Sequence, residues 1–184
     1  MKRIRTKLIL GVLLALGTAS AAFAQGEIAS GTISGGGSGP FSYSLSFSDG
    51  AGATSPIGSV WYSWIPGFFY LPSSPTSASA PTGWTATISG NSVQYIASSA
   101  TYDIQPGHSL SGFGYQATFS PAQLAAAPNS GDSFAYSAGL FSDNGEEFIV
   151  QAVPEPSSLG LLGVGVLVLT LAGRRQLRNS TGVS

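Results

Sequence analysis

The clearest pattern along the chain is Phe41-Ser42-Tyr43-Ser44-Leu45-Ser46-Phe47-Ser48, where every second position is apolar. A period of two sends successive side chains to opposite faces, so this segment predicts a half-buried strand with its serines in solvent. The same criterion predicts further strands at 27–33, 57–65, 84–89, 92–97, 109–119, 133–141 and 146–153. Turn chemistry separates them: the Gly/Ser run 34–40, Asp49-Gly50, Pro66-Gly67, Gly90-Asn91, Pro106-Gly107 and Asn144-Gly145. Pro72, Pro75 and Pro81 exclude a central strand from the loop they punctuate. Gly112 and Gly114 predict a bulge or close packing within 109–119, and Pro121–Ala126, with Ser120 as its cap, is the helix candidate of this region. Short strands at this spacing, without βα alternation or an internal repeat, predict an all-β fold, an antiparallel β-sandwich.

Two longer apolar runs sit at the ends and do not belong to that pattern. Lys2, Arg3, Arg5 and Lys7 precede the apolar stretch 8–16, and Ala22-Phe23-Ala24 places small residues before Gln25. This is the layout of a secretory signal peptide, residues 1–24, with Ala22 and Ala24 at the cleavage positions. At the other end, Val153-Pro154-Glu155-Pro156 leads into an apolar segment from Leu159 to Ala172, followed by Arg174, Arg175 and Arg178. The prolines hold Val153 and Glu155 extended, so a helix cannot start much before Ser157. From Pro156 to Gly173 there are 18 residues. As a helix that is roughly 27 Å, just short of a hydrocarbon core of roughly 30 Å, so 157–173 spans with local thinning or snorkelling arginines. The arginines lie on one side only, which places the C-terminus inside and everything before Val153 outside. The division is therefore a signal peptide 1–24, a β-sandwich ectodomain 25–152, a terminal signal 153–178 containing the transmembrane helix 157–173, and a tail 179–184.

The order of proline turn, Gly/Leu/Val helix and Arg174-Arg175 resembles the PEP-CTERM sorting signal, the C-terminal tag of many exported proteins of Gram-negative bacteria. The resemblance covers roughly Val153 to Arg175. It implies processing by an exosortase, a membrane-embedded cysteine protease, after export by the secretion machinery and signal peptidase and a transient stay in the inner membrane. Delivery to the cell surface or to an exopolysaccharide matrix would follow. The bland alternative is an ordinary single-pass anchor behind a Pro-rich turn.

Charge changes the picture more than composition does. All Lys and Arg lie in the two terminal signals, so residues 8–173 contain none. Between Gln25 and Ala152 the ionisable acids are Glu27, Asp49, Asp103, Asp132, Asp143, Glu146 and Glu147, giving that part a formal charge of −7. Without a basic side chain it cannot neutralise phosphate, which excludes nucleic acid and disfavours anionic headgroups as partners. Internal salt bridges are excluded too, so stability must come from burial and backbone ladders. The absence of cysteine removes thiol chemistry and Cys-based metal sites.

Candidate chemistry is sparse. His108 follows a Pro-Gly turn, with no Gly-x-Ser-x-Gly elbow to serve, and reads as an exposed loop residue. Glu146 and Glu147 are strand neighbours that point to opposite faces, so they cannot flank one glycosidic bond. Asp143, Asn144 and Glu146 offer oxygen ligands in one turn and are weak calcium candidates, although the spacing lacks an EF-hand pattern. Aromatic residues concentrate around 61–84. In a regular strand Trp61 shares a face with Ser63 and Ile65, whereas Tyr62 and Trp64 share the other. Exposed members of this set, Trp61, Trp64 or Trp84, are candidates for stacking on sugar rings, and Gly83-Trp84, Pro106-Gly107 and Gly112-Phe113-Gly114-Tyr115 are faintly similar to stretches of bacterial carbohydrate-binding modules. The expectation is a non-enzymatic exported protein with a structural or adhesive role in exopolysaccharide, requiring no cofactor. The alternative is a carbohydrate-binding module on the same export route.

Overall fold

The computed structural model describes residues 26–153. The expected signal peptide with Ala22 and Ala24, the residues Pro154, Glu155 and Pro156, the segment 157–173, Arg174, Arg175 and the tail lie outside the described residues. Among the described residues no helix is long and apolar enough to cross a membrane.

The strands are β1 (Ala29–Gly36), β2 (Phe41–Asp49), β3 (Ser59–Tyr62), β4 (Trp64–Ile65), β5 (Phe68–Phe69), β6 (Ser77–Ser79), β7 (Trp84–Ile88), β8 (Val93–Ala97), β9 (Ser109–Ala117), β10 (Asp132–Tyr136) and β11 (Glu146–Ala152), with helix α1 (Pro121–Ala126) before β10. Where the turn spacing predicts two facing antiparallel sheets, the structure has one nine-stranded sheet in the order β6-β9-β2-β1-β11-β10-β3-β8-β7. Its edge strands β6 and β7 approach each other without joining in a ladder, so the sheet is curled into a nearly closed barrel. Nor is it wholly antiparallel. β1 and β11 run parallel, Gly31 beside Val150 and Ile33 beside Ala152, so the first and last strands of the fold lie side by side.

Strand twist and one bulge make the curl possible. Between Leu45↔Phe113 and Ser46↔Ser111 the register shifts, and Gly112, at φ +95°, is the extra residue in β9. The interior is filled by side chains, as a barrel of this size requires. Tyr43, Leu45 and Phe47 point inward from β2 while Ser42 and Ser44 are exposed, in agreement with the period-two reading. They meet Val60, Tyr62, Val93, Tyr95, Phe113, Tyr115, Phe148 and Val150 from the other strands.

Four buried tyrosines have a local answer for their hydroxyls. Tyr43 donates to the Phe119 carbonyl at 2.7 Å and Tyr95 to the Gly114 carbonyl at 3.0 Å, and Tyr62 and Tyr115 face each other at 3.5 Å. Burial pushes the Tyr43 phenol up to about 12 and raises those of Tyr62, Tyr95 and Tyr115 as well. All four remain neutral hydrogen-bonding groups at physiological pH.

Two local departures from the sequence pattern have clear causes. β1 extends through Gly35 and Gly36, where a glycine loop is expected. The Tyr43 ring lies against Gly35 so closely that a Cβ there would sit 2.5 Å from it; glycine is used for close approach in a strand, not for turning. The helix forms as expected, with Ser120 and Gln123 exchanging hydrogen bonds in a capping box and Pro121 in the first turn.

Candidate functional site

The paired ends of the sheet differ in character. Because β1 and β11 are parallel, and β2 is antiparallel to β1, the start of β1, the start of β11 and the end of β2 fall at one end of the barrel. Glu27, Asp49, Glu146 and Glu147 are gathered there, and the 103–108 turn joins them through backbone hydrogen bonds from Asp49 to the His108 carbonyl and from Gly107 to Asp49. This is the acidic end. The opposite end carries the glycine turn 37–40, helix α1 and Val153, where the last strand leaves the fold.

The aromatic cluster around 61–69 is not arranged as an unbroken strand would have it. Ser63 adopts φ +57°, interrupting the strand between Tyr62 and Trp64. That one left-handed residue turns Trp64 onto the same side as Trp61. The two indoles stack at 3.8 Å between ring centroids with planes 5° apart. Trp61 and Trp64 are therefore partners, not residues of opposite faces, and each offers one ring face to the other. The Trp61 indole N–H donates to Ser92 Oγ at 2.8 Å, Phe134 meets Trp64 edge-on, and Phe141 meets both indoles edge-on. Trp61 and Trp64 are 8% and 5% exposed.

Trp84 is buried elsewhere, T-shaped against Phe113, with its N–H donated to the Tyr102 carbonyl at 2.9 Å. What reaches solvent around the Trp61–Trp64 stack is phenylalanine: Phe68 at 61%, Phe69 at 48% and Phe141 at 62% exposure. The alternation places Phe141 at the end of a strand over 133–141, whereas β10 stops at Tyr136 and Phe141 lies in the 137–145 loop; Phe68 and Phe69, within the aromatic concentration around 61–84, form the short strand β5.

The acidic end has its own electrostatics. Glu27 is buried, and its Oε1 has no hydrogen-bond partner. Burial raises its pKa above the ordinary 4.5; its own backbone amide opposes that rise, while Asp143 and Asp49 reinforce it. Asp143 is tied differently: its Oδ2 accepts from the Ser137 amide and hydroxyl, and its Oδ1 from the Gly145 amide at 2.9 Å. Burial opposes its ionisation, yet those donors and the Glu27 carboxyl outweigh burial and hold its pKa below the ordinary 3.8. Burial raises Asp49 and Asp103 as well.

The sign of the pH dependence follows. A carboxyl whose folded pKa is raised contributes stability that is complete below its unfolded value and is lost as pH climbs through the folded one. Glu27, Asp49 and Asp103 act in this sense, upward from 4.5 and 3.8. Asp143 acts in the opposite sense only as pH falls below 3.8. The melting temperature is therefore expected to rise as pH is lowered from about 8 to about 5, the reverse of a fold held by salt bridges. Glu27→Gln should melt higher than the parent chain at the upper pH and flatten the profile. Thermal melts across that range check this; a midpoint that falls on mild acidification would contradict it.

His108 is exposed on its own turn, with Nδ1 3.1 Å from the Pro106 carbonyl. Glu146 and Glu147 occupy successive positions of β11, and Asn144 is exposed. Among the described residues no three His, Asp or Glu side chains are grouped so as to hold a metal ion. Asp143, from the candidate calcium set, accepts from Ser137 and Gly145 and so ties the 137–145 loop together.

At the end where the chain leaves the fold there is a cavity of about 510 Å³. Ile33, Tyr43, Leu124, Val150, Ala152 and Val153 contribute to its wall, α1 forms one side, and no charged residue lines it. Sequence patterning alone gives no sign of it, because its wall is assembled from the ends of β1 and β11 and a helix far from both in sequence.

Comparison with known proteins identifies one feature. The family model of the PEP-CTERM protein-sorting motif matches residues 152–176, beginning at the last residue of β11. The motif marks the chain as an exported protein targeted to an exosortase, with a membrane-anchored precursor. No curated protein and no solved structure matches this chain.

Proposed function

We propose that this chain, which carries a PEP-CTERM protein-sorting motif at residues 152–176, is a non-enzymatic surface or matrix protein of a Gram-negative bacterium. After export by the secretion machinery and removal of its signal peptide, it is held in the inner membrane, processed by exosortase near Pro154-Glu155-Pro156, and placed in exopolysaccharide in a structural or adhesive role. The observation that carries this reading is that the sorting motif begins at Ala152, the last residue of the last strand. Support for a non-catalytic role comes from the candidate catalytic groups, with His108 on an exposed turn and Glu146 and Glu147 in adjacent strand positions.

A second reading, carbohydrate binding, is favoured by one specific observation. Phe68, Phe69 and Phe141 are exposed around a stacked tryptophan pair that holds the 61–69 segment in place. Apolar ring faces presented on a rigid support are suited to the C–H faces of sugar rings, and in this structure the phenylalanines, not Trp61, Trp64 or Trp84, are the ones available. The secreted form is expected to be retained on immobilised exopolysaccharide, and Phe68→Ala combined with Phe69→Ala should abolish retention while leaving the melting temperature within a few degrees. Equal retention of the variant would remove the aromatic patch from the mechanism.

A further inference from the structure

The apolar cavity at the exit end lies beside the point where the chain departs for the membrane. Resting on the membrane-anchored precursor implied by the sorting motif, we propose that this cavity faces the bilayer and takes an acyl chain of a membrane phospholipid.

Three observations support this occupant. First, the tether is short. Val153 is part of the cavity wall, and only the five residues 154–158 separate it from the apolar segment that begins at Leu159. Fully extended, the six steps from Val153 to Leu159 reach at most about 22 Å, so in the anchored precursor the mouth stays within that distance of the apolar segment whatever path the tether takes.

Second, charge is polarised along the barrel. Glu27, Asp49, Asp103, Asp143, Glu146 and Glu147 lie at or near the opposite end, about 23 Å away along the seven residues of β11. Asp132, paired with Ile149, directly follows the cavity-lining Gly131 and is the one acid on that side among the described residues. An acidic domain is repelled least by anionic headgroups when it turns its least acidic end toward them, and the cavity is at that end.

Third, the wall suits hydrocarbon. It is built from Ile33, Leu124, Val150 and Ala152, with the glycines of 35–37 removing side chains from one side, and its volume is within the range of small-ligand sites. The Tyr43 hydroxyl is committed to the Phe119 carbonyl and offers the cavity a ring face.

The test uses the full chain in phosphatidylcholine vesicles in which one acyl chain carries a photoactivatable diazirine near its end. After illumination, adducts are mapped by proteolysis and mass spectrometry. Adducts within 157–173 report the anchor independently of the cavity. The expected result is a second set of adducts on Ile33, Leu124 and Val150, with none on Tyr102 or His108, which are exposed at the acidic end. Ala125→Trp, at an exposed position on the cavity rim, should remove that second set and leave both the anchor adducts and the melting temperature unchanged. Adducts confined to 157–173, or cavity adducts unaffected by Ala125→Trp, would overturn the acyl-chain site while leaving the anchor intact. Equal labelling of Tyr102 or His108 would overturn the orientation. No labelling in 157–173 would mean that the chain is not anchored, and the proposal would fall with that reading.

Discussion

Phe47→Ala is expected to destabilise the fold by about 3–5 kcal/mol, a large share of the roughly 5–15 kcal/mol that holds a domain together. Phe47 is wholly buried at the centre of the barrel, tilted against Tyr95 and Phe113 and edge-on to Phe148. Those rings belong to β8, β9 and β11, so the vacated space is walled by several strands of one curled sheet and cannot close by moving a single element. Ser44→Ala, three positions earlier on the exposed face of the same strand, is expected to stay within about 0.5 kcal/mol. Chemical denaturation of the two variants measures the contrast. A Phe47→Ala chain with an unchanged midpoint would mean that the barrel interior is not the core.

The second large effect concerns the address. Pro154→Ala combined with Pro156→Ala is expected to hold the chain in the membrane fraction and to deplete the released form. Proline fixes its own φ and biases the preceding residue to extended backbone. Together they are expected, from the sequence, to disfavour a helix over Val153 to Glu155. Alanine, the best helix former, removes that restriction. Cell fractionation reads the result, and normal release of the variant would show that the Pro-Glu-Pro turn is not what the processing enzyme recognises.

How much of this was legible before the structure depends on what each residue's neighbours are. The period-two run in β2 could be read directly because both of its faces are decided locally, one by serines and one by the core. The Gly112 bulge and the Ser120 cap were legible for the same reason: each is a local rule with a local cause. The relation of Trp61 to Trp64 was not. One serine at φ +57° replaces alternation by stacking, and serine carries no obligation to adopt that conformation.

Sheet closure and the parallel β1–β11 pair were also out of reach, since periodicity reports which face of a strand is buried and is silent on which strand lies beside it. That pairing is what separates the acidic end from the apolar mouth, so the charge polarity of the molecule depends on the feature that was hardest to read. The glycines of β1 illustrate the same limit from the other side. A run that looks like a loop is strand, because the Tyr43 ring takes the space that side chains would fill.

The sorting motif was legible in full, because it is an address read from the linear chain and needs no tertiary structure to be recognised. The most direct test of the whole reading is the intact mass of the form found outside the cell. The expected mass corresponds to a chain that begins at Gln25 and ends near Pro156. A mass that still includes Arg174, Arg175 and the residues through Ser184 would contradict processing at the tag and leave an ordinary membrane anchor in its place.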